Sequence, residues 1–211
     1  MVFFPEKTHY DFDDLVALVR ILRAPDGCPW DSVQTHQSIR RNFIEEVYEA
    51  CEAIDLDDAA LLKEELGDVL LHVVFHAGIE ADAGRFTIDD VCDGVVRKMI
   101  SRHPNLFGAG SDLNWDEIKR KEKGLNSLSQ ELDSVARSLP ALWRAEKVQK
   151  KAEDSLPVPV AENALDADPE QAVGDLLFSA VAVARRYGID PEQALHRRCD
   201  AYLLQAKEAE S

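Results

Sequence analysis

The sequence lacks the features that mark membrane, secreted and polyanion-binding proteins. It contains no stretch of about 18 consecutive apolar residues, so we expect no membrane-spanning helix. Its first residues show no basic segment followed by an apolar run, so we expect no secretory signal and a cytoplasmic protein. Basic residues are outnumbered, with 24 Lys and Arg against 40 Asp and Glu. The net charge of −16 argues against nucleic acid or an anionic membrane as a general partner.

Cysteine is also scarce in this chain of 211 residues. The four cysteines are widely spaced and form no Cys-x-x-Cys pair, which argues against a disulfide framework. Cys51 and Cys92 fall on apolar helix faces, and we predict that both are reduced thiols in the core.

Strict alternation of apolar and polar residues, the pattern of a half-buried strand, is absent as well. Most segments instead repeat their apolar residues at helical spacing, as Ile39, Phe43, Val47 and Ile54 do. The sequence therefore predicts an all-α fold. Helices are expected at about 11–23, 35–54, 62–84, 87–102, 112–123, 140–152, 169–187 and 191–206, with a loop after 103–104, a polar link after 123 and an extended stretch at 156–159.

Four acids form two ridges on neighbouring predicted helices. Glu46 and Glu49 are three apart on one helix, and Glu65 and Asp68 are three apart on the next, so each pair shares a face. If the helices pack antiparallel, the ridges face each other. Two carboxylates about 5 Å apart repel by roughly 3 kcal/mol at an effective dielectric near 20. The ridges therefore predict a cation site for Mg²⁺ or Mn²⁺, against the alternative of a solvated charged face.

Two further features of the second ridge allow more than one interpretation. Gly67 lies between its two acids, where glycine weakens a helix, and this predicts close approach of another element. His72 and His76 continue the Asp68 face at steps of four. They form either a transition-metal site or a buried or subunit-facing imidazole pair, and the second interpretation is favoured because oxygen ligands alone suit Mg²⁺.

Basic and aromatic residues follow the acidic helices. Lys98 and Arg102 share a helix face, where they either neutralise the acids or bind phosphate oxygens. Trp115 and Lys119 are also four apart, and Trp115 is either a core residue or a platform on which a base stacks.

A Gly-Cys-Pro-Trp-Asp turn at residues 27–31 precedes the first acidic helix. Such a turn is often a simple loop anchor. Because it would lie beside the acidic helix, the side chains of Trp30 and Gln34 are also candidates for contact with a nucleobase.

Taken in order, these stretches resemble the MazG family of nucleoside triphosphate pyrophosphohydrolases. The likeness extends over at least residues 12–152. It comprises Gly27-Cys28-Pro29-Trp30-Asp31 with Gln34-Thr35, Glu45-Glu46-x-x-Glu49, Glu64-Glu65-Leu66-Gly67-Asp68, Val73-Val74-Phe75-His76-Ala77, Arg102-His103-Pro104, Trp115-x-x-Ile118-Lys119 and Arg137-Ser138-Leu139-Pro140-Ala141-Leu142.

The resemblance implies an all-α, antiparallel helical bundle that forms a homodimer. It implies Mg²⁺-dependent hydrolysis of nucleoside triphosphates to a nucleoside monophosphate and pyrophosphate. The implied roles are metal ligation by Glu46, Glu49, Glu65 and Asp68, orientation or deprotonation of water by Glu45 or Glu49, phosphate binding by Lys98 and Arg102, and nucleotide contact by Trp115, Lys119, Trp30 and Gln34.

Alternatives remain within and outside this enzyme class. Related substrates are dUTP, phosphoribosyl-ATP and ppGpp, and a non-catalytic nucleotide-binding or interaction module is the third hypothesis. The sequence around Gly67 is echoed at Gly174-Asp175-Leu176-Leu177-Phe178 without most of the acids. We therefore predict a catalytic domain at 1–125, a linker and helix at 126–155, and a degenerate second copy without a metal site at 156–211.

Overall fold

A computed structural model describes residues 4–110, 113–152, 155–156 and 168–209. The chain divides into two compact units, residues 1–111 and 112–211. Every regular element in the described ranges is helical, and no strand occurs there, which confirms the predicted all-α fold. None of the helices described is both long and apolar enough to cross a membrane.

The first unit contains five α-helices and one short 3-10 helix among its described residues. They are α1 (Phe12–Arg23), the 3-10 helix (Asp31–Val33), α2 (His36–Asp55), α3 (Ala59–Asp82), α4 (Ile88–Arg102) and α5 (Pro104–Phe107). The second unit contains α6 (Trp115–Glu122), α7 (Leu128–Asp133), α8 (Ala141–Ala152), α9 (Pro169–Arg186) and α10 (Pro191–Ala209).

Side-chain caps fix where the four longer helices of the first unit, α1 to α4, begin, because they satisfy backbone N–H groups that lack helical partners. At α4 the Thr87 hydroxyl accepts from the Asp90 amide, and the Asp90 carboxylate accepts from the Thr87 amide, which together form a capping box. The cap residues are Asp11 for α1, Thr35 for α2, Asp58 for α3 and Thr87 for α4.

A tight turn after α1 carries the chain toward α2. The amide of Gly27 donates to the carbonyl of Ala24 at 2.8 Å, and the amide of Cys28 donates to the carbonyl of Leu22 at 2.9 Å. A Cβ atom at residue 27 would lie 2.2 Å from the carbonyl oxygen of Ile21. Only glycine therefore fits this turn without a shift of the backbone.

The core of the first unit lies between α1, α2 and α3. Val19 of α1, Ile39 of α2, and Val74 and Phe75 of α3 form its buried centre. Partly buried residues pack around them: Leu15, Val16, Leu71, Ile79 and Ile88. Close packing of this centre fixes α1, α2 and α3 against one another and therefore sets which faces of α2 and α3 meet.

Helices α2 and α3 run antiparallel. His36, at the start of α2, contacts Glu80 near the end of α3, whereas Glu49, late in α2, lies beside Glu65, early in α3. The residues between the two helices form a short turn in which Asp57 adopts a left-handed conformation with φ of 55°. This hairpin aligns the two acidic ridges.

In the second unit α8 packs against α7, α9 and α10. The side-chain amide of Gln149 donates to the carbonyl of Phe178 at 2.7 Å, and the indole of Trp143 donates to the Asp190 carboxylate at 3.1 Å. These bonds tie α8 to α9 and to the start of α10.

Several expectations are wrong in detail. Short helices α5 and α7 occupy segments predicted as loop and polar link. Cys51 and Cys92 are free thiols as predicted, but both are exposed, because the faces that carry them are not covered. A Cβ atom at Gly67 would meet no atom within 4 Å, so no other element of the described chain approaches there. Of the predicted extended stretch, residues 157–159 lie outside the described residues.

Candidate metal centre

Helices α2 and α3 bring three carboxylates together. One oxygen from each of Glu46, Glu49 and Glu65 lies within 4.8 Å of an oxygen of the other two. Across the described part of the chain, no other set of three His, Cys, Asp or Glu residues converges in this way. We call these three residues the carboxylate triad. The triad combines both predicted ridges.

The electrostatics of the triad show unrelieved negative charge. Glu65 is only 8% exposed, and burial raises its pKa, which the charges of Glu49 and Asp68 raise further. Burial also raises the pKa of Glu46, with the same two neighbours adding to the effect. Asp68 therefore acts on the triad through its charge, although it is not one of the three convergent groups.

The donor set fits a hard divalent cation. Within the described residues no lysine or arginine forms an ion pair with a member of the triad. Carboxylate oxygens are the ligands that Mg²⁺ and Mn²⁺ prefer. A cation between these oxygens would remove the repulsion that raises the pKa of Glu46 and Glu65.

His72 lies at the edge of the triad. Its Nε2 atom is 4.0 Å from Oε1 of Glu46, and its buried Nδ1 atom has no hydrogen-bond partner in the described structure. Burial lowers the pKa of His72, while the charge of Asp68 partly opposes this effect. The neutral form of the His72 ring is therefore favoured over the protonated form.

His76, the other predicted histidine, lies away from the triad and faces the start of α2. Its Nδ1 atom is 2.7 Å from Nδ1 of His36, and the Nε2 atom of His36 is 2.5 Å from Oε1 of Glu80. Burial lowers the pKa of His76, and the two neighbouring histidines lower it further. The sequence interpretation missed His36 and Glu80. The available signal was the spacing of His72, His76 and Glu80 at steps of four along α3.

The remaining candidates of the first unit have different surroundings. Glu45 accepts a hydrogen bond from the guanidinium of Arg41 at 2.8 Å and is not part of the triad. Lys98 is exposed on α4, and Arg102 is half-buried at the end of the same helix. Both cations thus belong to the unit that carries the acids.

The turn before α2 presents an open aromatic ring. Trp30 is 60% exposed. The amide of Gln34 donates to the carbonyl of Trp30 at 2.8 Å, and its oxygen accepts from the hydroxyl of Ser38 at 2.6 Å. Gln34 thus holds the turn against the first turn of α2, while Trp30 projects from it.

The last two candidates lie in the second unit. Trp115 is the first residue of α6 and is partly exposed. Lys119, one turn later, has its ammonium 3.9 Å from a carboxylate oxygen of Asp116. The structure therefore places these two residues in a different unit from the triad.

Comparison with known proteins gives consistent matches. Residues 34–107 match the MazG nucleotide pyrophosphohydrolase domain. The chain is 38% identical to the nucleoside triphosphate pyrophosphohydrolase/pyrophosphatase MazG of Thermotoga maritima, over 94% of this chain and 85% of that protein. It is 34% identical to the nucleoside triphosphate pyrophosphohydrolase of Escherichia coli K12, over 94% and 86%. It is 42% identical to the uncharacterized protein YabN of Bacillus subtilis, of which it spans 45%.

The matches agree with the geometry of the site. The matched domain runs from the turn before α2 to α5 and includes every member of the carboxylate triad. The Thermotoga and Escherichia matches extend over nearly all of this chain. They confirm the family and the enzyme class expected from the sequence motifs. The chain belongs to the MazG family of nucleotide pyrophosphohydrolases.

Proposed function

We propose that this chain hydrolyses nucleoside triphosphates to a nucleoside monophosphate and pyrophosphate with Mg²⁺ as cofactor. The observation that carries the proposal is the carboxylate triad: the pKa values of Glu46 and Glu65 are raised, and no lysine or arginine of the described residues forms an ion pair with the triad. Glu46, Glu49, Glu65 and Asp68 would hold the metal. When bound, Mg²⁺ supplies charge neutralisation for the triphosphate oxygens.

Side chains of the protein carry out proton transfer and charge stabilisation in the reaction. Glu45 or Glu49 accepts a proton from the attacking water, whose oxygen forms a bond to the α-phosphorus. The bond from the α-phosphorus to the bridging oxygen breaks, and pyrophosphate leaves. Lys98 and Arg102 stabilise the negative charge that spreads over the phosphate oxygens. No covalent intermediate with the protein is required.

Contacts with the nucleoside are proposed for the aromatic candidates. Trp30 supports this role because its ring is exposed beside the first turn of α2, with Gln34 holding the turn. Trp115 and Lys119 are proposed to contribute from the second unit. A base that stacks on such a ring gains about 1 to 3 kcal/mol with little dependence on base identity.

We also propose that two copies associate into an antiparallel helical bundle. The support is an apolar stripe on α4 that the described part of the chain leaves exposed: Val91, Val95, Val96 and Ile100. Burial of such a stripe against a second copy removes apolar surface from water. Light scattering across a concentration series would measure the mass, and a monomer at every concentration would exclude this assembly.

The distribution of the acids along the chain supports a division into a catalytic domain and a second copy without a metal site. We propose that residues 1–125 form the catalytic domain, that 126–155 form a linker and helix, and that 156–211 are a degenerate second copy. The support is that the echo of Gly67-Asp68 on α9, Gly174-Asp175, has no convergent set of acids in the described residues around it.

Product analysis tests the activity directly. The protein is incubated with Mg²⁺ and a panel of NTPs and dNTPs that includes dUTP, with phosphoribosyl-ATP and ppGpp as alternative substrates. Nucleoside monophosphate and pyrophosphate are expected in equal amounts, and Glu46→Gln and Asp68→Asn should each abolish them. Asp93→Asn, which changes an exposed acid of α4, is the matched control and should retain activity.

Three results would contradict the proposal. Absence of pyrophosphate across the panel would exclude the activity. Stabilisation of the folded protein by Mg²⁺ with a non-hydrolysable triphosphate, without any turnover of the natural substrate, would favour a nucleotide-binding module instead. Full activity of both carboxylate variants would show that the site is elsewhere.

A further inference from the structure

A second polar cluster joins the start of α2 to the end of α3. It consists of His36, His76, Glu80 and Arg85. The two histidine Nδ1 atoms are 2.7 Å apart, and Nε2 of His36 lies 2.5 Å from Oε1 of Glu80. Arg85 donates to both oxygens of Glu80, from Nε at 2.5 Å and from Nη2 at 2.7 Å. None of these residues belongs to the carboxylate triad.

The hydrogen bonds of this cluster determine where its protons lie. The Arg85 guanidinium, followed by His36, holds the pKa of Glu80 at about 2, so Glu80 is a carboxylate and can only accept. His36 therefore donates from Nε2. In a neutral His36 ring Nδ1 is then an acceptor, and Nδ1 of His76 must carry the proton between the two rings.

The cluster is mechanically connected to the triad. The ring of His76 packs edge-on against Phe43 with centroids 5.5 Å apart, and Phe43 packs against His72 at 5.8 Å. Nε2 of His72 is in turn 4.0 Å from Oε1 of Glu46. A continuous row of side chains thus runs between α2 and α3 from the cluster to the acids.

The triad depends on the alignment of these two helices. Glu46 and Glu49 come from α2, whereas Glu65 comes from α3, so sliding one helix along the other changes the separation of the ligands. A slip of one turn is about 5.4 Å, which exceeds the 4.8 Å within which the three oxygens lie. A short interhelical bond chain lies at one end of the hairpin, where it is placed to oppose such a slip.

We propose that His36, His76, Glu80 and Arg85 form a clamp that fixes the alignment of α2 and α3 and thereby sets the geometry of the carboxylate triad for a divalent cation. They are positioning residues, because they act on the metal ligands through the helices and do not contact substrate. The clamp rests on the proposed function for the identity of the cation, which is Mg²⁺. It does not depend on turnover of a nucleotide.

The first test is the tautomer of each ring. Long-range ¹H–¹⁵N spectra of the full chain at neutral pH, in the presence of EDTA, should show His36 protonated at Nε2 and His76 protonated at Nδ1. Assignment comes from the spectra of His36→Phe and His76→Phe. If neither His36 nor His76 carries a proton at Nδ1, no hydrogen bond joins the two rings, and this result would overturn the bond chain.

The second test measures Mg²⁺ affinity by calorimetry. Residues that orient metal ligands typically change affinity by 10-fold to 100-fold when replaced. His76→Phe and Arg85→Gln should therefore weaken Mg²⁺ binding by about 10-fold. His76→Asn, whose amide nitrogen replaces Nδ1 as a donor, should restore most of the affinity. The matched controls are His9→Phe and Arg97→Gln, which alter an exposed histidine and an exposed Arg–Asp pair and should bind Mg²⁺ as the unaltered protein does.

The outcomes separate the clamp from a merely structural role and from the proposed activity. A structural role would lower the folded fraction while the folded molecules kept their Mg²⁺ affinity, and this result would refute the clamp. If His76→Phe does not fold, Arg85→Gln and His76→Asn still decide the matter. If the clamp variants bind Mg²⁺ more weakly but the unaltered protein hydrolyses no nucleotide, the clamp is supported and the proposed function is refuted. If the clamp variants bind Mg²⁺ normally and the unaltered protein hydrolyses nucleotides, the clamp is refuted and the proposed function is supported.

Discussion

Replacing Glu46 with glutamine should stabilise the metal-free protein while it abolishes the proposed hydrolysis. The side chain keeps its size, so the packing of α2 changes little. What changes is the number of negative charges in the carboxylate triad, which falls from three to two. A gain in stability at the expense of activity is the signature of a site that stores electrostatic repulsion.

The size of the effect follows from the separation of the charges. At 4.8 Å two unit charges repel by about 0.9 kcal/mol in bulk water and by about 3.5 kcal/mol at an effective dielectric near 20. Glu46 has two such neighbours, Glu49 and Glu65, but its side chain is 23% exposed and salt screens part of the repulsion. We expect the free energy of unfolding to rise by about 1 to 2 kcal/mol.

Urea unfolding followed by circular dichroism measures this change. The experiment is performed first with EDTA and then with Mg²⁺ at saturation. Mg²⁺ at about 100 times its dissociation constant stabilises a protein that binds it only in the folded state by about 2.7 kcal/mol. Because Glu46→Gln has lost a ligand, it should gain less from Mg²⁺, and the order of the two proteins should reverse.

The control variant is Glu52→Gln. Glu52 is an exposed residue of the same helix outside the triad, and its replacement changes the net charge by the same amount. Its effect should stay within about 0.5 kcal/mol. Any of three results would refute electrostatic repulsion within the triad: Glu46→Gln destabilises the metal-free protein, Glu52→Gln stabilises it equally, or Mg²⁺ stabilises Glu46→Gln as much as the unaltered protein.

Three further predictions concern the core, the turn and pH. Val74→Ala should lower the free energy of unfolding by about 2 kcal/mol, since Val74 is 1% exposed, and an unchanged urea midpoint would contradict the assigned core. Gly27→Ala should cost about 3 kcal/mol or more, because its Cβ would collide with backbone carbonyls of α1, whereas Gly94→Ala, in open space, should not destabilise. The raised pKa values of Glu46 and Glu65 mean that the folded metal-free protein binds protons more readily than the unfolded chain. Burial also lowers the pKa of His72 and His76, which destabilises the folded protein as pH falls over the same range, so the triad is isolated by comparison with Glu46→Gln. Relative to Glu46→Gln, the stability of the unaltered protein should rise as pH falls from 7 toward the ordinary glutamate pKa of 4.5, and a difference in urea midpoints with EDTA that stays flat or widens over this range would contradict the charges assigned to the triad.

Much of the fold was predictable because long helices carry their own signal. The caps at Thr35 and Thr87 and the apolar spacing of α2 and α3 are local properties, and each appears in the sequence before any tertiary contact is known. Helices α5 and α7 escaped prediction because helices of four and six residues are too short to display periodicity.

The acids of the site were also predictable, but their environment was not. The spacing of the acids within each ridge can be predicted from a single helix. The convergence of Glu46 with Glu65 also requires that the two helices pack antiparallel. The bond between His36 and His76 depends entirely on the alignment of α2 with α3, which no spacing within one helix reveals. Gly67 was misinterpreted because the sequence shows a missing side chain but cannot show the open space beside it.

The short turn between α2 and α3 determines when the metal site can assemble during synthesis and folding. The triad comes from two consecutive helices, so the contacts that assemble it are local in the chain, and local contacts form rapidly during folding. During synthesis the hairpin leaves the ribosome before the second unit has been made. The ligands can therefore come together on the nascent chain before the second unit is present.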